Sequence, residues 1–182
     1  MLHNAIHFFD LVHLLAGPAT EVFARSDTLS KAASTAIAPQ TVSVSLRFHN
    51  GATGSLLLSS LGSWDYPNEH IDIVGSNENA LSISNGSRVQ YYQKGEDRPT
   101  ELYENTLSVH WWSGNEEQGF VHQLRAFAGI ILGTTGPRAN PEDPRLFVAR
   151  AEDGIRSLLM LEAMHRSVAD GSNISLPISL IQ

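Results

Sequence analysis

The segment Thr41-Val-Ser-Val-Ser-Leu-Arg-Phe48 alternates polar and apolar residues without a break. Successive side chains of a strand point to opposite faces of a sheet, so this alternation predicts a strand that is buried on one face only. Half-buried strands are typical of antiparallel sheets. The dipeptide Asn50-Gly51 favours a tight turn, and we therefore expect the chain to return as a second strand at residues 54–60.

Further strands and three helices are predicted around this hairpin. The strands are expected at residues 21–25, 70–74, 80–84, 88–93 and 173–176. Apolar residues at helical spacing predict a first helix that includes Leu14 and Leu15 and ends at Gly17, a second with Val121, Leu124, Ala128 and Ile131, and a third with the apolar stripe Ala151, Ile155, Leu158 and Leu159. This order of elements predicts an α+β fold, an open and mainly antiparallel β-sheet with helices packed on one face.

The composition narrows the class of protein. The 182 residues suit a single domain, and 42% hydrophobic against 17% charged residues can build a core. The net charge of −7 and the scattered arginines argue against nucleic acid or an anionic membrane as a partner. The absence of cysteine excludes disulfides, thiolate metal sites and a cysteine nucleophile. No apolar run has the length of a membrane helix, so we expect a cytoplasmic globular domain.

The first helix carries the most informative polar residues. His3, His7 and Asp10 are spaced at i, i+4 and i+7, so they project from one stripe of the helix. A neutral imidazole can accept a proton from a hydroxyl, and Asp10 lies close enough to orient it, which fits general acid/base work on an alcohol or carbonyl. The same spacing also fits a solvated helix face. A zinc site is a third interpretation, although the metalloprotease glutamate is missing and no third ligand is evident.

Two aromatic segments offer side chains that could bind a small molecule. They contribute Trp64, Tyr66, His110 and Trp111 as candidate substrate-binding residues. The rings of tryptophan and tyrosine can stack on sugar rings, and an imidazole can hydrogen-bond to sugar hydroxyls. The competing interpretation is that these side chains belong to the core or to an interface.

The chain carries no glycine-rich phosphate-binding motif. No G-x-G-x-x-G follows a strand and opens a helix, and neither the P-loop motif nor the G-x-S-x-G nucleophile elbow occurs. The sequence therefore predicts no cofactor-binding residues and no phosphate cradle in this chain.

Five segments follow one another in an order that is known from a protein family. They are residues 3–17 with the pattern His3-x-x-x-His7-x-x-Asp10, then residues 44–57, 69–83, 119–127 and 152–167. Together they resemble the C-terminal domain of the Gfo/Idh/MocA oxidoreductases, the relatives of glucose–fructose oxidoreductase and inositol dehydrogenase. Two segments depart from the family pattern, with Asn79 where glycine is usual and Gln123 where an acid is usual. The resemblance covers nearly all of the chain.

The resemblance implies a sheet domain that binds a sugar or polyol and mediates oligomerisation. It implies that His7 is the general acid/base for the hydroxyl being oxidised and that Asp10 lines the same site. His3 stands where inositol dehydrogenases carry an aspartate, and it is carried over as the third site residue. The open sheet face, with polar residues such as Ser43 and Ser45, is the expected contact of a homodimer.

The resemblance also implies a part that residues 1–182 do not contain. Family members have an N-terminal Rossmann domain that binds NAD or NADP, and this chain corresponds to the C-terminal substrate-binding and oligomerisation domain. We expect the chain alone to bind no cofactor and to be inactive, and its parent to be an NAD(P)-dependent oxidoreductase acting on a sugar, polyol or related carbohydrate. The alternative is a stand-alone, non-enzymatic module of the same fold that dimerises or binds a ligand.

Overall fold

The chain folds into helices and antiparallel strands. The computed structural model describes residues 2–27, 41–59, 69–84, 88–104, 120–134 and 149–177. Within these ranges the helices are α1 (Leu2–Ala16), α2 (Phe120–Leu132) and α3 (Ala151–Asp170). The strands are β1 (Ala19–Ser26), β2 (Thr41–Phe48), β3 (Thr53–Ser59), β4 (His70–Val74), β5 (Ala80–Ser84), β6 (Arg88–Tyr92), β7 (Thr100–Glu104) and β8 (Ile174–Ser175). The predicted α+β class is confirmed.

The described strands form two sheets of four strands each, and every pairing is antiparallel. One sheet has the order β3-β2-β1-β8 and the other the order β4-β5-β6-β7. The sequence predicts all of these strands except β7. The chain correspondingly divides into two compact units, Met1–Leu61 with Gly129–Gln182, and Gly62–Ala128.

In the first unit, β1 is an inner strand, and α3 packs on it. β1 pairs with β2 along its length and with β8 at Glu21 and Val22. Helix α3 contacts both β1 and α1. The fully buried large side chains of this core are Phe9, Val22, Val42, Val44, Met160 and Met164. Burying a side chain of this size stabilises the fold by about 1.5–3 kcal/mol, so the core shared by α1, β1, β2 and α3 is a main source of the unit's stability.

The predicted alternation of β2 is confirmed by its burial. Val42, Val44, Leu46 and Phe48 are buried, whereas Ser43, Ser45 and Arg47 are exposed. The predicted turn also forms, because the Gly51 N–H donates to the Phe48 carbonyl over 3.0 Å and Gly51 has a φ of +87°. Glycine reaches this region of φ without the steric cost that other residues meet.

Asn50 joins this turn to the end of α1. Its side-chain Nδ2 donates to the carbonyl of Ala16 over 3.0 Å, and its Oδ1 accepts the N–H of Ala52 at the same distance. The last carbonyls of a helix lack partners within the helix, so this bond satisfies one of them. The hairpin turn thereby fixes the C-terminal end of the helix that carries the candidate site residues.

The predicted apolar stripe of α3 is wrong. Ile155 and Leu158 are 47% and 55% exposed, while the buried positions are Ser157, Met160, Ala163, Met164 and Ser167. Both serine hydroxyls are hydrogen-bonded, which removes the usual cost of burying a polar group. The leucines of α1 show the same difference, since Leu14 is 60% exposed and Phe9 supplies the core contact.

The second unit contains the three strands predicted at residues 70–74, 80–84 and 88–93, with β7 added. In its register His70 faces Ser84, Asp72 faces Ser82, and Ser82 faces Gln90. Arg88 binds the Glu101 carboxylate through both Nε (3.1 Å) and Nη2 (2.6 Å), and this side-chain hydrogen bonding holds the pKa of Glu101 below its ordinary value. One face of this sheet therefore carries a continuous row of paired polar side chains.

The predicted second helix is confirmed as α2. The helix ends at Leu132, and Gly133 follows with a φ of +69° and an N–H bond of 3.2 Å to the Ile130 carbonyl. Its apolar side chains Leu124, Phe127 and Ile131 are exposed. Among the described residues, no helix combines the length and hydropathy that crossing a membrane requires.

Candidate functional site

The stripe of polar residues predicted in the first helix lies on α1. His3, His7 and Asp10 all fall within Leu2–Ala16, and a helix places positions i, i+4 and i+7 on one side. The side chains of His7 and Asp10 are both exposed. The side chain of His3 lies outside the described residues. The exposed pair is thus available to a molecule approaching this side of α1.

Asp10 is held by a residue from the other end of the chain. The Oγ of Ser157 in α3 lies 3.3 Å from Asp10 Oδ1 and donates to it. The same Oγ lies 3.0 Å from the Asp153 carbonyl oxygen, one turn earlier in α3. Ser157 is 1% exposed, so its hydroxyl reaches the carboxylate from inside the contact of the two helices.

A second polar contact joins the same two helices one turn further along. His13 Nε2 lies 3.7 Å from Asp153 Oδ1, and Arg156 Nη1 lies 2.9 Å from the same oxygen. The backbone N–H of Arg150 donates to Asp153 Oδ2 over 2.8 Å. That bond holds the pKa of the Asp153 carboxyl below its ordinary value, and Arg156 and His13 add to the effect against the partial burial that raises it.

His13 and Ser157 are the residues of this region that sequence reasoning missed. His13 follows Asp10 by three positions on α1, so helical spacing contains a signal that it is a neighbour of the stripe. Nothing in the sequence connects Ser157 to Asp10, because 147 positions separate them. Their contact depends on how α3 packs against α1.

A small cavity lies beside His13. Its volume is about 10 Å³, and its lining includes Pro18, Arg156, Met160 and Leu176. The Nδ1 of His13 is buried and has no hydrogen-bond partner among the described residues. A cavity of this size holds one water molecule at most, so it is not a binding site for a sugar.

The other predicted site residues are not described by the structure. Trp64, Tyr66, His110 and Trp111 lie outside the described residues, so their role as substrate contacts stays a prediction. Within the described part of the chain, no three histidine, aspartate or glutamate side chains lie close enough together to hold a metal ion.

The sequence matches one family model over most of its length. The model describes the oxidoreductase family, C-terminal alpha/beta domain (GFO_IDH_MocA_C), and the match covers residues 1–176. A search of curated protein sequences finds no significant match.

The fold is similar to that of solved oxidoreductases. Levoglucosan dehydrogenase in complex with NADH and levoglucosan is 17% identical with a TM-score of 0.71, and the match covers 95% of this chain and 49% of that one. An oxidoreductase from Agrobacterium radiobacter in complex with NAD+, L-tartaric acid and magnesium is 18% identical with a TM-score of 0.66, covering 93% and 47%. The WlbA dehydrogenase from Bordetella pertussis in complex with NADH and UDP-GlcNAcA is 23% identical with a TM-score of 0.51, covering 96% and 44%. At these identities the likeness shows the fold, and the chain spans about half the length of each relative.

Proposed function

The chain belongs to the Gfo/Idh/MocA oxidoreductase family as its C-terminal alpha/beta domain, and from that premise we propose a function for it. It is the substrate-binding and oligomerisation domain of an NAD(P)-dependent oxidoreductase that acts on a sugar, a polyol or a related carbohydrate. The observation that carries the proposal is the family match over residues 1–176, which includes the helix with His7 and Asp10. The solved relatives with levoglucosan or UDP-GlcNAcA bound support carbohydrate as the substrate class.

In this proposal His7 exchanges the proton of the reacting hydroxyl. Oxidation of an alcohol to a carbonyl releases one proton from the hydroxyl oxygen, and a neutral imidazole is the side chain best suited to accept it near neutral pH. The exposure of His7 on α1 supports this role, because a general base has to reach a substrate atom directly. In the reverse direction the imidazolium returns the proton to the carbonyl oxygen.

Asp10 and His3 line the same site in the proposal. Asp10 presents an exposed carboxylate one turn after His7, where it can accept a hydrogen bond from a substrate hydroxyl. His3 lies one turn before His7, in the position of the aspartate of inositol dehydrogenases, and supplies a hydrogen-bonding group there. Trp64, Tyr66, His110 and Trp111 are proposed to contact the ring of the substrate.

The described residues do not fit a dinucleotide. All described strands pair antiparallel, whereas the dinucleotide fold needs parallel strands joined by a helix whose N-terminus faces the phosphates. We therefore assign NAD or NADP to a separate cofactor domain of the parent and none to the sheets that the structure describes. A cytoplasmic location of the parent remains a prediction.

Oligomerisation is proposed to use the outer face of the first sheet. This face presents Ser43, Ser45 and Leu57, and Leu57 is 75% exposed. Small hydroxyl side chains around an exposed leucine let two sheets approach closely. The charged side chains of the same face have partners within it, since Arg47 Nε lies 3.7 Å from Glu21 Oε2 and Arg25 lies over the ring of Phe23.

The proposal is tested with a polypeptide in which this chain follows an NAD-binding domain. We expect reduction of NAD+ or NADP+ with at least one member of a panel of polyols and sugars, and a loss of kcat by about 10²–10⁴-fold in His7→Ala. The matched control is His165→Ala, which removes an exposed histidine from α3. Full kcat in His7→Ala would overturn the assignment of His7.

The alternative function is a stand-alone module that dimerises or binds a ligand without catalysis. The intact mass of the native protein separates the two. A mass of about 35–40 kDa corresponds to a cofactor domain joined to this one, whereas a mass of 19.9 kDa corresponds to the module alone.

A further inference from the structure

Helix α3 has two buried serines, Ser157 and Ser167, whose hydroxyls bond to different partners. Ser157 and Ser167 are 1% and 0% exposed, and a buried hydroxyl costs free energy unless it is hydrogen-bonded. Ser167 accepts the N–H of Ala24 over 2.8 Å and donates to the Ser172 carbonyl over 2.5 Å, so it bonds only to backbone. Ser157 instead contacts the side chain of Asp10 on another helix. Of these two serines, only Ser157 bonds to a residue of the stripe that contains His7.

The hydroxyl of Ser157 has one proton and two acceptors within reach. The Asp153 carbonyl is a neutral acceptor at 3.0 Å, and the Asp10 carboxylate is a charged acceptor at 3.3 Å. Hydrogen bonds to a charged acceptor are about twice as strong as those between neutral groups. The proton therefore favours Asp10 whenever that carboxylate is ionised, despite the slightly longer distance.

The packing of α1 on α3 does not depend on this one bond. The contact of His13 with Asp153 joins the same helices one turn away, and Phe9 buries its side chain in the shared core. The Ser157 hydroxyl instead affects the conformation of one side chain, that of Asp10. An exposed aspartate inside a helix has two readily accessible χ1 rotamers, because the third clashes with the preceding turn. A donor fixed in a buried wall favours the rotamer that reaches it.

We infer that Ser157 is a positioning residue, whose hydroxyl holds the Asp10 carboxylate in one rotamer beside His7. The catalytic part of this inference rests on the proposed function of the α1 stripe. A fixed carboxylate presents its second oxygen, Oδ2, to a substrate hydroxyl without first losing rotamer freedom. Pre-orientation of this kind lowers the barrier of a step, because the bound geometry is set before the substrate arrives.

The structural part is tested on the 182-residue chain by NMR. Three-bond couplings across χ1 of Asp10 are expected to report one dominant rotamer in the wild type and averaged rotamers in Ser157→Ala. Ser157→Cys fills the site with a slightly larger side chain and a much weaker donor, so Asp10 is expected to show averaged rotamers in it even if the alanine variant does not fold. The matched control, Ser167→Ala, loses a buried hydroxyl from the same helix and is expected to leave the Asp10 couplings unchanged. Averaged couplings in the wild type, or unchanged ones in both Ser157 variants, would overturn the inference.

The catalytic part is tested in the polypeptide that carries the cofactor domain. Ser157→Ala is expected to lower kcat by about ten- to a hundredfold and to change KM by less than about threefold, whereas Ser167→Ala changes neither. If His7→Ala removes activity while Ser157→Ala keeps the wild-type kcat, the positioning role is refuted and the proposed function stands. If His7→Ala keeps full activity, the proposed function fails, and the NMR couplings alone decide whether Ser157 holds Asp10.

Discussion

The hydroxyl of Ser167 accepts a backbone N–H of β1 that has no partner in the neighbouring strand β8. β8 pairs with β1 only at Glu21 and Val22, and the buried N–H of Ala24 lies beyond it. Ser167 accepts that N–H over 2.8 Å. Ser167→Ala leaves the N–H without a partner, so we expect a loss of about 1–3 kcal/mol in the free energy of unfolding.

Urea denaturation followed by circular dichroism measures this loss. The matched control is Ser55→Ala on β3, where an exposed serine is expected to change the free energy of unfolding by less than about 0.5 kcal/mol. Equal effects of the two substitutions would show that Ser167 is not needed to satisfy β1.

The carboxylate of Asp153 makes the stability of the first unit depend on pH. The Arg150 N–H, with help from Arg156 and His13, lowers the pKa of Asp153 in the folded chain, while in the unfolded chain it is near 3.9. A lowered folded pKa gives stability that is complete above the unfolded pKa and is lost as the pH falls through the folded pKa. We expect Asp153→Asn to cost about 0.3–1 kcal/mol at pH 7, because the first turn of α3 loses a negative charge that interacts favourably with the helix N-terminus.

The comparison with wild type is made by urea denaturation from pH 7 to pH 3. The difference between wild type and Asp153→Asn should shrink as Asp153 becomes protonated in the folded chain. Glu162→Gln serves as the control, since it removes an exposed carboxylate from the same helix. A difference that stays constant down to pH 3 would contradict the assigned role of Asp153.

Among the secondary-structure elements, the β2–β3 hairpin and α3 respond oppositely to the same glycine substitution. Gly51 has a φ of +87°, whereas Gly154 lies inside α3, and a Cβ added at either would have no atom within 4 Å. The effects are therefore conformational only. We expect Gly51→Ala to destabilise by about 1–2 kcal/mol. Gly154→Ala should stabilise by about 0.5–1 kcal/mol. Thermal unfolding of the two variants should move the midpoint in opposite directions, and a common direction would refute the argument.

The sequence predicts elements well where the pattern is local. The alternation in β2 determines which side chains are buried, because the period of a strand is fixed at two residues and the turn at Gly51 fixes where the strand ends. In α3 the same approach predicts the wrong face. Ile155 and Leu158 have helical spacing, yet the buried face is the one with Ser157 and Met160. Hydrogen bonds to Asp10 and to the Ala24 N–H offset the cost of burying Ser157 and Ser167. These bonds join distant parts of the chain, so a local sequence pattern does not reveal them.

The candidate site is likewise predictable from the sequence only where its residues are close together along the chain. Helical spacing alone places His7 and Asp10 together on α1. Ser157, which bonds to Asp10, and Asp153, which contacts the neighbouring His13, come from a helix more than 130 residues later. Only the folded chain brings these residues into contact with α1. Strand β7 is not predicted either, because Thr100-Glu-Leu-Tyr-Glu104 shows no alternation of apolar and polar residues.

For the whole molecule, we expect the outer face of the first sheet to decide the oligomeric state. Leu57 faces Ser43 across the strands and is 75% exposed. Leu57→Lys places a charge on the edge strand β3 of this face. Desolvating an unpaired charge opposes association. We expect light scattering to show a dimer for the wild type and the monomer mass of 19.9 kDa for Leu57→Lys.

Leu158→Lys is the matched control for this prediction. It introduces the same charge in place of an exposed leucine, but on α3, which packs on the buried face of the sheet. A dimer is expected to persist in Leu158→Lys. Loss of the dimer in this variant but not in Leu57→Lys would assign the contact to the helical side.

The position of β1 between β2 and β8 has a consequence for synthesis of the chain. A ribosome releases β1 and β2 early. Helix α3 covers the buried face of β1 and begins only at Ala151, and β8 pairs with the second edge of β1 and begins only at Ile174. At about 5–20 residues per second, the interval before these segments emerge lasts several seconds or more. During that time an apolar strand with a free edge is open to pairing with other nascent chains. The speed of translation between Ser26 and Ile174 therefore sets how long this edge of β1 stays uncovered.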